Sequence, residues 1–497
     1  MLISVTSLGT FLRLLRLGSN SLWFDESLSV WLANRSLGDV LLIQPRVDVH
    51  PPLYYLILSL WIKLFGSGEF QVRLLPAIFG VASVPLLYIV VKNLFRNSSI
   101  ALVSTFILSI SPFHVYYSQE SRMYSLLTFF VLLSIFFMTK MLSIGNQKER
   151  AGKTLFYSIG YVLSTAAALY CHNIALFLPV AQNLFFITFW RRYKPLLKFW
   201  VLSGAAILLL WTPWAPFFFK QGSAVQKAFY APRITLGSIA NIFAIFNNGP
   251  AFWLFNWINI DHLGTIKGRW VLLTFIFFGA LFLMGVASMR RNPLPLSLLL
   301  FTFFVPVGAE VLISLKRPIV ATQTLIWASV PYYVLIAKGV VALRNKWAVC
   351  IGIALLTVFS SLALYKYYTQ FEKERWDLAA QFVSENLDKN DLILFSSGFG
   401  QIPFDYYFDR YDKIDIEEHG VPKDLSEKKV TLESLFPLDK LIHGHKRVWL
   451  IYSHEESTDP QRLSKTTLEK GYCLLKKRDF KSSQNSIACY LFEKCEQ

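Results

Sequence analysis

Acidic residues are scarce in most of this 497-residue chain. The first 365 residues hold 29 Lys and Arg but only nine Asp and Glu, whereas residues 366–497 hold 20 basic and 23 acidic residues. A basic excess confined to the apolar part of a chain is typical of cytoplasmic loops between membrane spans. It argues against a nucleic-acid-binding surface. The nine acids are Asp25, Glu26, Asp39, Asp48, Glu69, Glu120, Glu149, Asp261 and Glu310.

Cysteine is also rare, and its spacing excludes the familiar metal motifs. Two of the five cysteines lie in apolar runs, and Cys473, Cys489 and Cys495 lie near the end. If that region is extracytoplasmic, one disulfide can form there, and the sequence does not select the pair. Residues 366–497 also lack a glycine-rich phosphate loop, a nucleophile elbow and a metal-spaced His pair.

Long apolar runs dominate the first 365 residues. The chain is 54% hydrophobic with a mean hydropathy of +0.43, and its runs repeatedly reach the ~18 residues that mark a membrane-spanning helix. The sequence predicts a polytopic membrane protein with eleven spans. They are residues 2–17, 74–91, 100–114, 122–142, 154–170, 174–190, 199–218, 270–289, 294–315, 320–342 and 347–365.

Basic residues cluster in alternate connections between these spans, which predicts that those connections face the cytoplasm. The N-terminus is then cytoplasmic, and residues 18–73 form one long outer loop. Within this loop the apolar run 51–65 is too short to span, and we expect a helix lying at the outer interface. The predicted location is the plasma (cell inner) membrane.

The predicted fold class is a mainly α, polytopic helical bundle of about eleven spans with a small C-terminal extracytoplasmic α/β domain. Residues 1–365 form the first domain and residues 366–497 the second, soluble one. The second is predicted to contain strands at 391–396, 447–453, 472–477 and 487–492 and helices at 373–387, 432–442 and 460–470.

Asp25 and Glu26 are adjacent carboxylates that follow an apolar segment and Trp23. If a helix begins at Asp25, both acids lie in its first turn, where free N–H groups favour the ionised form. One carboxylate could take a proton from an acceptor hydroxyl while the other orients it or holds a metal. The structural alternative is a helix cap beside an interfacial tryptophan.

Asp48 and His50 precede the pair Pro51 and Pro52, which suits a helix start because the missing N–H groups would lack partners there. His50 is therefore predicted at the mouth of a helix. The alternative is a surface turn followed by an interfacial helix.

Glu120, Arg122 and Tyr124 mark the outer start of a span. Arg122, together with Arg73, could bind a lipid phosphate and stabilise it as a leaving group. The alternative is an ion pair or an Arg that anchors the helix at the interface.

His172 falls in a very short outer turn, where a hydrogen-bonded structural role is the more common one. Lys316 and Arg317 form a positive cluster in another short outer turn. They either bind a phosphate or anchor the chain to lipid headgroups.

Three segments in this order, Trp23–Glu26, Asp48–Tyr55 and Tyr116–Tyr124, resemble the membrane glycosyltransferases of the GT-C class. The segments are most similar to glycosyltransferase family 39, a group related to protein O-mannosyltransferases and to aminoarabinose transferases. The similarity covers residues 11–190 well and the later spans only by hydropathy.

The resemblance implies sugar transfer from a polyprenyl-phosphate donor to an acceptor glycolipid, polysaccharide or protein on the extracytoplasmic side, with inversion. Asp25 matches the family's base position and Glu26 its neighbour. Arg73 and Arg122 match basic positions near the donor phosphate. After Pro318, many relatives carry an Arg-Tyr pair where this chain has Gln323 and Thr324, so the resemblance does not carry that donor contact over. The candidate donor and substrate residues are Glu26, Asp48, His50, Arg73, Glu120, Arg122, Tyr124, His172, Lys316 and Arg317.

The sequence leaves the cofactor open, including a divalent metal near Glu26 and His50. It also leaves two other functions open. A lipid-linked sugar transporter or flippase would show inverted repeats and ionisable residues near the bilayer midplane, and neither is evident. A membrane-anchored binding protein would need fewer spans. The enzyme interpretation requires Asp25, His50 and Arg122 to converge in one outer cavity.

Overall fold

A computed structural model describes residues 1–144, 151–228, 234–250, 266–317, 319–411, 416–422, 430–431, 433–435 and 438–495. These residues form two compact units. The helical unit contains residues 1–17, 49–57 and 73–369, and the sheet unit contains residues 18–48, 58–72 and 370–497.

Helices account for most of the described residues before the sheet. They are α1 (Leu2–Leu14), α2 (Phe24–Ala33), α3 (Leu37–Val47), α4 (Leu53–Phe65), α5 (Glu69–Phe95), α6 (Ser98–Ile110), α7 (Pro112–Ser118), α8 (Tyr124–Ile144), α9 (Ala151–Cys171), α10 (Phe177–Thr188), α11 (Trp190–Tyr193), α12 (Leu197–Trp211), α13 (Ala215–Ala228), α14 (Leu236–Asn248), α15 (Ile266–Ser288), α16 (Pro293–Ser314), α17 (Ser329–Val341) and α18 (Lys346–Gln370).

Seven helices among the described residues are long and apolar enough to cross a membrane, and eight if the bent pair α6–α7 counts as one span. Three shorter apolar helices, Leu2–Leu14, Asn173–Thr188 and Leu272–Ser288, coincide with the other three predicted spans. The chain is a multi-pass membrane protein, as predicted. The seven are Glu69–Phe95, Tyr124–Ile144, Ala151–Cys171, Trp190–Gln221, Pro293–Ser314, Thr322–Val341 and Lys346–Gln370.

The predicted continuous span over residues 100–114 is broken, because α6 and α7 meet at a 56° bend. Pro112 has no N–H to donate to the carbonyl of Leu108, four residues earlier. The guanidinium of buried Arg13 donates to the Leu108 oxygen instead, at 3.2 Å, and also to the Ser109 oxygen at 3.1 Å. A basic residue of α1 therefore stabilises the break.

Helices α15 and α17 pack with their backbones in close contact. A Cβ added at Gly339 would lie 1.9 Å from the carbonyl oxygen of Leu281, and one at Gly285 would lie 2.0 Å from that of Leu335. Both glycines are thus required by the helix crossing, in the way that small residues permit close packing in membranes.

The substitution Gly339→Ala is therefore expected to destabilise the protein by about 1–3 kcal/mol, the usual cost of overpacking. Gly279→Ala, in α15, is the matched control because no atom lies within 4 Å of its added Cβ. Thermal unfolding of both purified variants in detergent measures the difference. Equal unfolding temperatures for the two would contradict the close crossing.

The sheet unit contains a five-stranded mixed sheet in the order β2-β1-β3-β5-β4. Strands β1, β2 and β3 are parallel, and β5 pairs antiparallel with β3 and β4. Its elements are α19 (Trp376–Asn386), β1 (Leu392–Ser396), α20 (Gln401–Phe408), β2 (Glu417–Val421), α21 (Leu438–Ile442), β3 (Arg447–Ser453), α22 (Glu455–Thr458), α23 (Leu463–Leu468), β4 (Tyr472–Phe480) and β5 (Ile487–Lys494).

Alternate residues of the central strands enter two hydrophobic cores, one on each face of the sheet. Ile393 and Phe395 pack with Trp376 on one face, while Leu392 and Leu394 face the other core. The predicted fold class, a helical membrane bundle with a small C-terminal α/β region, is confirmed. The sequence prediction missed α20 and β2, and part of its helix 432–442 lies outside the described residues.

One disulfide joins Cys473 of β4 to Cys495, directly after β5, with a Cα–Cα distance of 5.2 Å. Strand pairing places Cys473 opposite Glu493, so the two cysteines are near neighbours in space. Cys489 is buried as a free thiol. The pairing that the sequence left open is thus Cys473 with Cys495.

Asp405 of α20 and Glu418 of β2 form a pair of neighbouring carboxyl groups. Burial, together with the Glu418 carboxylate, raises the pKa of Asp405 well above its ordinary value of 3.8. Burial also raises the pKa of Glu418, whose Oε2 accepts a hydrogen bond from Gln401 at 3.1 Å. At neutral pH the folded protein therefore holds a proton that the unfolded chain has already released.

A raised acid pKa makes stability fall as pH rises from the unfolded pKa toward the folded one, because the folded state binds more protons. We expect the unfolding temperature of the wild type to fall between about pH 5 and about pH 8, and Asp405→Asn to reduce that slope. The exposed Glu385→Gln is the control. An unchanged slope in Asp405→Asn would contradict the raised pKa of Asp405.

Candidate active site

The carboxylates Asp25 and Glu26 occupy the first turn of α2, in the sheet unit. The helix begins at Phe24, one residue before the predicted start, after Trp23 in an extended conformation. The hydroxyl of Ser29, one turn later in α2, donates to the main-chain oxygen of Asp25 at 2.9 Å. Asp25 is partly accessible.

Glu26 is buried and forms an ion pair with Lys373 of the C-terminal region. The Lys373 Nζ donates to Glu26 Oε2 at 2.9 Å, and the two side chains are 2% and 0% exposed. Lys373 is 347 residues away in the sequence, so no local pattern could have indicated this partner.

The metal that the sequence left open near Glu26 does not fit the residues present. Glu26 faces an ammonium group, which repels a cation. Among the described ranges, no group of three His, Cys, Asp or Glu side chains is arranged to hold a metal ion.

Asp48 closes α3 in the sheet unit. Its backbone N–H donates to the carbonyl of Gln44 at 2.9 Å, and the Gln44 side-chain amide returns a bond to the Asp48 carbonyl at 3.3 Å. Both contacts are made by the backbone of Asp48. The role of its carboxylate in substrate binding stays a prediction.

In the helical unit, two of the three motif segments meet. The Tyr54 hydroxyl lies 2.9 Å from the Ser121 hydroxyl, and Arg122 Nη1 donates to the Tyr55 hydroxyl at 3.1 Å. Tyr54 and Tyr55 belong to the first turn of α4, which starts directly after Pro51 and Pro52, as predicted. The structure thus joins the His-Pro-Pro segment to the segment that carries Glu120 and Arg122.

Glu120 and Arg122 lie in the non-helical connection between α7 and α8, and they are only 1% and 2% exposed. Arg73, near the start of α5, is 1% exposed and donates to the carbonyl of Leu17 at 3.2 Å. Burying a guanidinium is costly unless its hydrogen bonds are supplied. These arginines are therefore held inside the protein and do not extend from its surface as interfacial anchors.

His50 and His172 are in ring contact, with centroids 4.6 Å apart, and Tyr124 lies 6.3 Å from the His172 ring. His172 Nδ1 accepts the backbone N–H of Ile174 at 3.1 Å, so a neutral ring carries its proton on Nε2. The structural role expected for His172 is present, and the ring also completes a cluster with two predicted site residues.

Lys316 and Arg317 are exposed in the turn after α16, and Pro318 lies outside the described residues. The Ser314 hydroxyl accepts the backbone N–H groups of Ile319 and Val320, each at 3.1 Å, and so fixes the chain that follows. The part of these two cations in phosphate binding stays a prediction.

Residues 49–217 match the family described as dolichyl-phosphate-mannose-protein mannosyltransferase. An uncharacterised protein of Aquifex aeolicus is 25% identical over 309 residues, which are 61% of this chain and 57% of that protein. A putative mannosyltransferase of Bacillus subtilis, YkcB, is 30% identical over 96 residues, 19% of this chain and 13% of that protein. The alignments thus span only part of the length of these relatives.

The fold is similar to that of ArnT from Cupriavidus metallidurans, with a TM-score of 0.64 at 10% identity, covering 98% of this chain and 97% of ArnT. A second ArnT structure, bound to undecaprenyl phosphate, matches with a TM-score of 0.58 at 11% identity and the same coverage. The chain therefore has the GT-C fold, and its predicted resemblance to the membrane glycosyltransferases of family 39 is confirmed.

Proposed function

We propose that this protein transfers a sugar from a polyprenyl-phosphate donor to an acceptor hydroxyl on the extracytoplasmic side of the membrane. The observation that carries the proposal is the burial of Arg122 against Tyr55, within the region that matches the mannosyltransferase family. A buried, permanently charged guanidinium suits an anionic lipid phosphate better than a neutral ligand.

The proposed reaction is one in-line displacement with inversion at the anomeric carbon. The acceptor oxygen forms a bond to that carbon as the bond to the phosphate oxygen breaks, and Asp25 takes the hydroxyl proton. Arg73 and Arg122, with Arg317, neutralise the negative charge left on the lipid phosphate. His50, His172, Tyr124 and Glu120 orient the sugar and the acceptor.

Two findings support the donor class and the location. ArnT of Cupriavidus metallidurans, which shares this fold, binds undecaprenyl phosphate. The Cys473–Cys495 disulfide favours an oxidising compartment for the C-terminal region. We therefore place the reaction on the outer face of the plasma (cell inner) membrane, with a lipid-linked sugar and a glycolipid, polysaccharide or protein acceptor as partners.

Mass spectrometry of glycolipids and glycoproteins from cells lacking the gene tests the proposal. We expect one saccharide to disappear and to return with the wild-type gene. It should not return with Asp25→Asn, whereas Asp39→Asn, in the exposed first turn of α3, should restore it. An unchanged glycan profile after deletion would overturn the proposal.

A further inference from the structure

Three alternate residues on either side of Asp25, at positions 22, 24 and 26, are held by the C-terminal part of the sheet unit. The backbone N–H of Leu22 donates to the Tyr407 hydroxyl at 2.6 Å. The ring of Phe24 contacts that of Phe399 with centroids 4.9 Å apart. Glu26 binds Lys373 at 2.9 Å. The backbone that carries Asp25 is thus fixed on both sides.

Lys373 is itself held in place by its neighbour. Glu374, 0% exposed, accepts hydrogen bonds from Trp376 Nε1 at 2.8 Å and from Asn485 Nδ2 at 3.1 Å. His454, directly after β3, lies 3.2 Å from the same carboxylate, and its ring contacts Phe399. Residues 373–374 therefore connect the first turn of α2 to two loops at one end of the strands, the loop after β3 and the loop between β4 and β5.

A buried ion pair is a poor device for stability, because the desolvation of two charges offsets most of their attraction. Its geometry is nevertheless specific, since the 2.9 Å contact is lost if either side chain moves. The Glu26–Lys373 pair would thus hold the first turn of α2 in one position more effectively than it would stabilise the fold.

We propose that Lys373 is a positioning residue: through its ion pair with Glu26 it holds Asp25 in place. This inference rests on the proposed function, in which Asp25 is the base. It assigns Glu26 to anchoring the base instead of contacting the sugar. It also makes the C-terminal region part of the catalytic apparatus, because that region supplies Lys373, Tyr407 and Phe399.

Steady-state transfer from a radiolabelled polyprenyl-phosphate sugar tests this role in the full-length protein. Lys373→Met keeps the length of the side chain and removes its charge. We expect its kcat to fall by about 10²-fold, the order of loss that a displaced reacting group produces, with the KM for the donor unchanged. Lys477→Met is the matched control, because Lys477 pairs with Asp479 at 2.8 Å on the exposed face of β4; it should keep the wild-type kcat.

The double variant Glu26→Gln/Lys373→Met covers the case in which the single variant fails to fold, since it removes both charges of the buried pair. It should unfold at a higher temperature than Lys373→Met and still show a lowered kcat. A wild-type kcat in either folded variant, measured beside an inactive Asp25→Asn, would overturn the inference and leave the proposed function intact. A fully active Asp25→Asn would instead overturn the base assignment, whatever Lys373→Met does.

Discussion

The Asp25→Asn variant is expected to transfer sugar about 10²- to 10⁴-fold more slowly than the wild type, the range that loss of a general base produces. The amide has nearly the shape of the carboxylate and cannot accept the hydroxyl proton. Asp25 lies in the first turn of α2, where its backbone continues the helix and its side chain is partly accessible, so we expect the fold to persist.

Single-turnover transfer from labelled donor, with thermal unfolding as the check on folding, measures the effect. Asp39→Asn is the matched control, because Asp39 occupies the first turn of the neighbouring helix and is exposed. Asp25→Asn at the wild-type rate, or equal losses in the two variants, would show that Asp25 is not the base.

Arg122→Gln is expected to show the second-largest loss, about 10²- to 10³-fold in kcat, by analogy with the removal of one donor that stabilises developing charge. Glutamine retains polar atoms that can bond the Tyr55 hydroxyl but has no positive charge for the departing phosphate. Tyr55→Phe removes the 3.1 Å hydrogen bond to Arg122 and keeps the guanidinium. It should therefore lose much less activity than Arg122→Gln.

Comparing the two variants distinguishes the effect of the Arg122 charge on kcat from the effect of its hydrogen bond to Tyr55. The measurement is kcat with saturating donor, together with the unfolding temperature of each variant. Equal kcat losses in Arg122→Gln and Tyr55→Phe would mean that the hydrogen bond, and not the charge, accounts for the importance of Arg122. The leaving-group role would then be wrong.

The sequence predicted those parts of the fold that depend on local pattern. Apolar runs located the helices of the bundle, and the two carboxylates after Trp23 located the start of α2 to within one residue. Pro51 and Pro52 indicated the start of α4, since a proline lacks the N–H that the first turn of a helix leaves unbonded.

Contacts between distant segments could not be predicted in this way. Arg13 lies within the predicted first span, but its guanidinium bonds the carbonyls of Leu108 and Ser109 at the break before Pro112. Lys373 carries no local signal of its pairing with Glu26, because the pair depends on the folding of two segments 347 residues apart. Strand β2 was missed because its polar residues suit an exposed sheet edge and give no apolar run.

The pairing of Lys373 with Glu26 also bears on how the chain is organised. Residues 18–48 and 58–72 form one compact unit with residues 370–497, so the segment that carries Asp25 folds with the C-terminal region. If Lys373 positions the base, removal of residues 370–497 would abolish transfer even when the membrane spans remain folded.

The most direct measurement of the central claim follows a label. Purified protein is reconstituted in vesicles with a polyprenyl phosphate that carries a radiolabelled sugar and with an acceptor fraction from cells lacking the gene. We predict that the label leaves the lipid and appears on an acceptor, and that Asp25→Asn abolishes this transfer. Movement of intact labelled donor between the leaflets, with no label on any acceptor, would contradict the account and identify a lipid flippase.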